Sequence, residues 1–327
     1  SKTETCTLVE NSAEAVTWNA GWYVVSGTVT ISEPITVTGA VNLILADGCT
    51  LNAGKGIVVE TGNSLTIYAQ SGGTGTLTAT GTADSNNASA GIGGSTASVD
   101  SGTITIHGGV INAIGGVSSI GDGAAGIGGG TVRNGNGGSS GTVTIYGGTV
   151  TANSGTGNIS GAGIGGGGSQ QGTGGTGDNI TIYGGSVTAA STGIQSGGAG
   201  IGGGSSGVIE NSSQKSGDGA VTISGGIVTA VGGTNAAGIG GGGGYYSSYT
   251  WGGTTYGSGC TGGTGSVTIT GGIVDAKGGA GNSSGDYAGA PIGNGGNTTA
   301  TATVSKTNAI VFENGAGTVC GDVTLDG

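Results

Sequence analysis

Apolar and polar residues alternate in short segments that recur along the chain, most of them ending in glycine. The segments LTIYAQ, ITIHGG, VTIYGG, ITIYGG, VTISGG and VTITGG begin at Leu65, Ile104, Val143, Ile180, Val221 and Val267. A degenerate copy, LILADG, begins at Leu43, and successive copies are 22, 39, 39, 37, 41 and 46 residues apart. Alternation with a period of two predicts a strand, whose first and third residues are expected to face a core.

Two further elements follow each of these first strands. A second strand starts seven residues later in the last five copies, after a Gly-Gly corner. Its apolar residues are Leu51, Leu77, Ile111, Val150, Val187, Val228 and Val274. A third element, GIVV, GIGG or AGIGGG, is centred on Ile57, Ile92, Ile127, Ile164, Ile201 and Ile239, with a worn copy at Ile292. The gaps around the third element vary in length, which is typical of surface loops.

Three short strands per repeat, none able to bury its apolar side alone, predict a solenoid. We expect an all-β fold, a right-handed parallel β-helix of roughly nine coils that rise about 4.8 Å each. Residues 1–40 are expected to form an N-terminal cap, 41–299 the β-helix repeats and 300–327 a C-terminal cap, in one continuous domain. An up-and-down barrel or a set of hairpins is the alternative, and the long repeat period fits it poorly.

Composition narrows the function classes. Glycine accounts for 86 of 327 residues and charged residues for 7%, with a net charge of −11. Six Lys and Arg residues cannot form a phosphate-binding stripe, which argues against nucleic acid and against an anionic membrane surface as partners. No apolar run approaches 18 residues, and SKTETC is expected to be a mature or trimmed start.

Four cysteines, Cys6, Cys49, Cys260 and Cys320, lie near the two ends of the chain. Three disulfide pairings are possible, and Cys6–Cys49 with Cys260–Cys320 would cross-link each end of the chain. Disulfides would indicate an extracellular location, whereas four free buried thiols are the alternative. Because no C-x-x-C pair occurs and His107 is the only histidine, a zinc cluster is not expected.

Two glycine-rich motifs are similar to known ligand-binding motifs. GAGIGGG at residues 161–167 fits the dinucleotide fingerprint, but no helical pattern follows, and a glycine-lined coil wall explains it. GGTGDNITI at residues 174–182 resembles a calcium-binding nonapeptide, and Asp100, Asp178 and Asp218 all precede a first strand. Their offsets differ, so they are weak calcium candidates, and calcium is the one cofactor that stays open.

No catalytic residues are predicted. Polysaccharide-cleaving β-helices need grouped carboxylates, or a calcium site with a basic residue, whereas the 17 acids here are scattered and Arg133 is the only arginine. We therefore expect a protein that is not an enzyme, with a polysaccharide lyase or glycoside hydrolase as a weaker alternative.

The outward positions of the strands form hydroxyl-rich columns. One column is Thr66, Thr105, Thr144, Thr181, Thr222 and Thr268, and the next is Tyr68, His107, Tyr146, Tyr183, Ser224 and Thr270. The second strand adds Asn52, Thr78, Asn112, Thr151, Thr188, Thr229 and Asp275. A glycan surface is one interpretation, in which ring faces stack on sugar C–H faces. The other interpretations are exposed strands with no ligand, and an ice-binding array for which the rings are too bulky.

A glycine-rich segment, residues 241–260, concentrates aromatic residues. It contains Tyr245, Tyr246, Tyr249, Trp251 and Tyr256, within the 28-residue gap between Ile239 and Val267. This loop is expected to enter the sheet opposite the Tyr column and could wall a groove floored by threonines. Packing of the five rings on one another is the alternative.

The run GWYVVSGTVTISEPITVTGAVNLILADGCTLNAGKGIVVETGNSLTIYAQSGGTGTLTATG at residues 21–81, followed by AGIGGG and VTIYGGTVTA cycles, resembles large surface proteins of anaerobic Gram-positive bacteria. Such proteins are described as carbohydrate-binding-domain-like or adhesin-like, with a pectate-lyase-type β-helix. The resemblance implies a secreted or wall-attached location and carries over no catalytic residues. We expect an extracellular adhesin module that binds a polysaccharide or glycoconjugate, with a purely structural stalk as the alternative.

Overall fold

A computed structural model describes residues 5–96, 100–207, 214–251, 254–281, 287–314 and 316–320, with the backbone alone for 246–258 and 316–320. All regular structure in these ranges is β. None of them contains a helix long and apolar enough to cross a membrane.

Short strands follow one another along the whole chain. The first nine are β1 (Cys6–Leu8), β2 (Val16–Val25), β3 (Thr28–Ile31), β4 (Ile35–Leu45), β5 (Thr50–Ala53), β6 (Ile57–Val58), β7 (Ser64–Ala69), β8 (Thr76–Thr80) and β9 (Ile92–Gly93). The middle of the chain holds β10 (Thr103–Ile106), β11 (Val110–Ile114), β12 (Asp122–Gly123), β13 (Ile127–Gly128), β14 (Thr142–Ile145), β15 (Thr149–Asn153), β16 (Ile159–Ser160), β17 (Ile164–Gly165), β18 (Gly177–Ile182), β19 (Ser186–Ala190) and β20 (Ile201–Gly202). The last strands are β21 (Gly219–Ile223), β22 (Ile227–Val231), β23 (Ile239–Gly240), β24 (Tyr246–Trp251), β25 (Thr254–Gly259), β26 (Gly265–Ile269), β27 (Ile273–Lys277), β28 (Ile292–Gly293), β29 (Thr303–Lys306), β30 (Ala309–Glu313) and β31 (Ala316–Cys320).

The strands of the three faces pair in parallel with their counterparts in the next coil, which confirms the β-helix. The first face is the ladder β1–β2–β4–β7–β10–β14–β18–β21–β26–β29. The second face is β3–β5–β8–β11–β15–β19–β22–β27–β30. The third face is β6–β9–β13–β17–β20–β23–β28. A barrel or a set of hairpins would instead pair sequential strands antiparallel.

The register of the ladders aligns the predicted core residues in columns. Ile104 pairs with Val143 and Ile106 with Ile145, and the same alignment continues along the first face. All the predicted inward-facing residues of the first and second strands are buried, as are the central isoleucines of the third element. The predicted core is therefore confirmed, and each coil buries its apolar residues only because neighbouring coils cover them.

Glycine in the third element is required by how closely the coils stack. Gly165 has φ +145°, and a Cβ there would lie 1.8 Å from the carbonyl oxygen of Gly202 in the next coil. Gly202 stands in the same relation to Gly240, at 2.0 Å. We name these stacked positions, from Gly93 to Gly293, the glycine column. The GAGIGGG segment thus has a packing role, because no side chain fits there.

A polar layer covers the third face from outside. The loops on either side of each third strand fold over it and hydrogen-bond to each other, as Thr131 Oγ1 does to the Gly123 carbonyl at 2.7 Å. Ser205 Oγ donates to the Ser160 carbonyl in the same way, also at 2.7 Å. The serines of this layer are fully or almost fully buried. In the described part of the chain, the polar layer thus covers much of the third face, while outward side chains of the first and second faces are exposed or half-buried.

The same parallel pairing extends into residues 16–45, which the sequence assigns largely to an N-terminal cap. Strand β2 pairs with β4, and β4 continues from the third face, beside β6, into the first face, beside β7. At the other end, β29 and β30 continue the first and second faces, and β31 turns back antiparallel to β30.

The expected disulfide pairs, Cys6–Cys49 and Cys260–Cys320, are wrong. Cys49 and Cys260 are both buried thiols without a disulfide. The Cys260 thiol donates to the Ser206 carbonyl and accepts from the Tyr245 N–H, both at 3.0 Å. Cys260 is thus held by the polar layer of its own and the preceding coil, whereas Cys320 ends β31 on the second face.

Candidate binding surface

A continuous stack of rings runs along the open first face. The rings of Tyr68 and His107 lie 4.8 Å apart, those of His107 and Tyr146 4.8 Å, and those of Tyr146 and Tyr183 4.9 Å. Their planes differ by 7° or less, and Trp22 extends the stack at 5.4 Å from Tyr68. We name these five residues the aromatic ladder. It includes the expected Tyr/His column, with Trp22 as a member that the repeat pattern did not reveal.

Backbone geometry next to each ring keeps the ladder aligned. Tyr68 lies near the end of β7, and His107, Tyr146 and Tyr183 each follow directly on a first strand and precede a Gly-Gly corner. Gly185 in one corner has φ +88°, and a Cβ there would lie 2.6 Å from the Gly148 carbonyl oxygen. The corners therefore stack as tightly as the strands, so the rings repeat at the interstrand spacing.

The faces of the internal rings are covered by their neighbours. Rings that are nearly parallel and 4.8–4.9 Å apart leave no room for a sugar between them. His107 and Tyr146 are nevertheless exposed, because the ring edges and the phenol hydroxyl face outward. Sugar stacking on every ring face, as the sequence suggested, is therefore not available along the ladder, which instead offers a row of edges.

The ladder ends at Tyr183. Ser224 takes the ring position in the next coil, where its N–H donates to the Ile182 carbonyl at 2.8 Å, and Thr270 follows one coil later. The Thr270 hydroxyl donates to the Ser224 hydroxyl at 3.3 Å. Tyr183 is half exposed. Beyond its ring, the next two coils carry only the small hydroxyl side chains of Ser224 and Thr270.

The expected threonine column lies beside the ladder in register. Thr105 pairs with Thr144, Thr144 with Thr181, and Thr181 with Thr222. These four hydroxyl side chains are half-buried, and Thr268 in the last repeat is exposed. On the second face, Asn112, Thr151 and Thr188 form a similar outward column on the opposite side of the corner.

The aromatic loop forms an antiparallel hairpin, β24 with β25, between the third and first strands of one coil. Its register places Tyr249 opposite Tyr256 and Trp251 opposite Thr254. The side chains of Tyr246, Tyr249, Trp251 and Tyr256 lie outside the described part of the structure, and Tyr245 is half-buried at the base of the hairpin. Two six-residue runs separated by Gly-Gly are a hairpin signal that could have predicted this element.

The hairpin and the ladder belong to different coils. The hairpin leads into β26, whose ladder position holds Thr270, whereas the last ring, Tyr183, follows β18. The sequence analysis placed this loop at the sheet edge opposite the Tyr column, as a wall of a groove floored by the threonine column. In the structure the hairpin stands on the coils where the ring column has already changed to hydroxyls.

The weak calcium candidates cap turns and are not brought together. Asp100 Oδ1 accepts from the Ser139 N–H at 2.8 Å, and Asp178 accepts from the Thr176 hydroxyl. Asp218 pairs with Lys215 Nζ at 2.7 Å and accepts from Thr264; these hydrogen bonds outweigh burial and lower the pKa of Asp218. Within the described ranges, no three His, Cys, Asp or Glu side chains are grouped as metal ligands would be.

A buried carboxylate in the polar layer has no marker in the sequence pattern. Asp122 is fully buried, and neither of its carboxylate oxygens lies in hydrogen-bonding geometry with a donor. Burial raises the pKa of Asp122 to about 6, and the nearby Ile159 N–H, which is not in hydrogen-bonding geometry, and the charge of Arg133 offset this rise only in part. An ionised carboxylate in this position is costly, so the group favours its protonated form.

A shallow depression lies on the second face, near the C-terminal end of the solenoid. Thr229, Asp275, Lys277 and Asn314 line it. Asp275 was expected only as a member of the second-strand column. The depression brings it beside a lysine two residues later on the same strand.

Four segments of the chain, residues 143–168, 180–205, 221–243 and 267–286, match the Beta helix repeat family. Each match begins at a predicted first strand and continues past the second strand; the first three also include the third strand, and the last ends before β28. Searches for similar curated proteins and for similar solved structures gave no match.

Proposed function

We propose that the protein is an extracellular module that binds a polysaccharide through the first face of its β-helix. The observation that carries this proposal is the open flat strip formed by the aromatic ladder and the threonine column. The rings repeat at 4.8–4.9 Å along it. This is close to the length of one sugar unit in an extended β-linked chain.

Hydrogen bonding is the main mode of contact in this proposal. Ring edges, phenol hydroxyls and threonine hydroxyls face solvent in two adjacent columns, so one sugar unit could meet the same set of donors and acceptors in each coil. The strip carries little charge, since its members are Thr, Tyr, His, Trp and Ser. We therefore propose a neutral glycan or glycoconjugate as the ligand, and a module that binds it without catalysis.

The resemblance to surface proteins of anaerobic Gram-positive bacteria supports a secreted or wall-attached location. A regular solenoid also suits such a place, because its length grows with the number of coils. We propose a role as an adhesin as part of the same function.

A purely structural stalk is the second candidate, and one observation favours it. The internal rings of the ladder stack on one another, so their faces contribute to the stability of the coils. In a stalk the ladder would serve only to stabilise the stack and no glycan would bind.

A glycan array with three forms of the protein separates these functions. The first is the wild type, and the second is Thr144→Ala with Thr181→Ala on the first face. The third, Thr151→Ala with Thr188→Ala, is the matched control, since it makes the same substitutions in the same two coils on the second face. We expect the wild type and the control to bind the same glycans and the first-face variant to lose about tenfold in affinity. If no plant, mucin or bacterial glycan binds the wild type, the stalk is favoured.

A further inference from the structure

We propose that the free end of the aromatic ladder, at Tyr183, is a subsite for the terminal pyranose ring of a neutral glycan. This inference rests on the proposed function and names the part of the surface that makes the stacking contact. The other rings between Tyr68 and Tyr183 have a ring on both sides. Tyr183 has Tyr146 on one side and the small Ser224 on the other.

The geometry of the ladder defines where a bound ring would lie. A ring that continues the stack would lie about 4.8 Å beyond Tyr183, directly above Ser224, because strands and rings share this spacing. The Ser224 and Thr270 side chains are exposed below it and linked by a hydrogen bond of 3.3 Å. The subsite thus combines a flat apolar wall with hydroxyls on its floor, a combination that suits a pyranose with one C–H face and polar edges.

The two end rings of the ladder differ in exposure. Trp22, at the other end, is half-buried, with Cys6 opposite it on β1, whereas Tyr183 is half exposed. Tyr183 is therefore the more accessible end ring of the ladder.

The direction of the rings decides which part of a glycan fits. Each ring plane of the ladder stands across the axis along which the coils stack, since successive rings are nearly parallel and face each other. In an extended polysaccharide the ring planes lie along the chain, so a chain running along the first face cannot place an internal ring flat on Tyr183. A terminal ring can do so, because no further sugar unit has to continue past it.

The test is an NMR titration with the methyl glycosides of glucose, galactose, mannose and N-acetylglucosamine as probes. Ser224→Leu fills the subsite with a branched side chain that covers the open face of Tyr183 and adds no new ring face. Thr188→Leu is the matched control, because it introduces the same residue at an exposed outward position of the second face, outside the proposed binding strip. Ser224→Thr, which copies the next coil, serves as the conservative variant.

We expect the C–H protons on one face of a bound glycoside to shift upfield in the wild type, because they lie over the Tyr183 ring. This shift should disappear in Ser224→Leu, with an affinity about 3- to 10-fold lower, and persist in Thr188→Leu and Ser224→Thr. The same upfield shift of the terminal residue should appear in oligosaccharides that share it, whatever their length.

Two results would overturn the inference in different ways. If the wild type binds a glycan and Ser224→Leu binds it equally well, the ladder end is not the subsite, while the proposed function stands. If the wild type binds none of the probes and no glycan on the array, the proposed function and the subsite are both wrong.

Discussion

Replacing Asp122 by asparagine is expected to remove a pH dependence that its buried carboxylate imposes on the stability of the protein. The pKa of this group rises from 3.8 to about 6 on folding because burial disfavours the charged form. The difference is about 2 pKa units, and each unit corresponds to about 1.4 kcal/mol. The carboxylate should therefore lower the free energy of unfolding by about 3 kcal/mol at pH 7 relative to pH 4.

The sign follows from where the proton is bound. Between about pH 4 and pH 6 the folded protein holds the proton on Asp122, whereas the unfolded chain has released it. Stability therefore falls as the pH rises through this window and is constant above it, as far as this group is concerned. Asparagine has no proton to lose, so the variant should gain on the wild type by about 3 kcal/mol between pH 4 and pH 7.

Urea unfolding followed by the fluorescence of the buried Trp18 provides the assay, with midpoints measured at several pH values for both proteins. Asp84→Asn is the control. Asp84 is exposed, and the Asn86 and Asn87 N–H groups lower its pKa, so its effect should be smaller and of opposite sign. A difference between wild type and Asp122→Asn that stays constant from pH 4 to pH 7 would refute the reasoning.

Three further outcomes follow from the packing. Gly165→Ala should lower the free energy of unfolding by about 3 kcal/mol or more, since its Cβ would meet a carbonyl oxygen at 1.8 Å. Gly27→Ala, at φ +70° with open space around it, should lose only about 1–2 kcal/mol in the same urea experiment. Tyr146→Ala removes two ring contacts and should lower the thermal midpoint by an amount equivalent to about 1–3 kcal/mol, measured by calorimetry. Cys49 and Cys260 should react with a thiol reagent such as DTNB only after unfolding, because burial raises the pKa of both thiols, and fast reaction in the native protein would contradict this.

The sequence predicted the scaffold because its signals are local and repeated. Alternation in VTIYGG and its copies places Val143 and Ile145 inward, and the constant seven-residue offset places Val150 in the same coil. Side chains in a strand point to one of only two faces of the sheet, so a repeated pattern is enough to decide which residues face the core.

The features that were missed depend on contacts between loops of unequal length. The serines of the polar layer have no period, and their burial arises because two loops meet over the third face. Asp122 lies in that layer, so its environment could not be read from its neighbours in the sequence. The disulfide prediction failed for a similar reason, because proximity in sequence did not indicate that Cys260 is held by Ser206 and Tyr245.

The aromatic ladder could be predicted from the sequence only in part. Its members could be named from the sequence, and their stacking follows from the interstrand spacing. The consequence for binding could not be drawn from the pattern, because it depends on the planes of the rings, which differ by 3–7° between Tyr68 and Tyr183. Only the structure shows that one face of the Tyr183 ring has no ring beside it and is next to the small side chain of Ser224.

The glycine column constrains how a chain of this kind can change over generations. At every position of the column from Gly93 to Gly240 a new side chain would meet the backbone of the adjoining coil, so a single substitution at any of them is selected against. Duplication of a complete coil, in contrast, places glycine beside glycine again and leaves every contact of the column intact. Such a gene can therefore lengthen by copying whole units of about 40 residues more readily than it can drift at these sites.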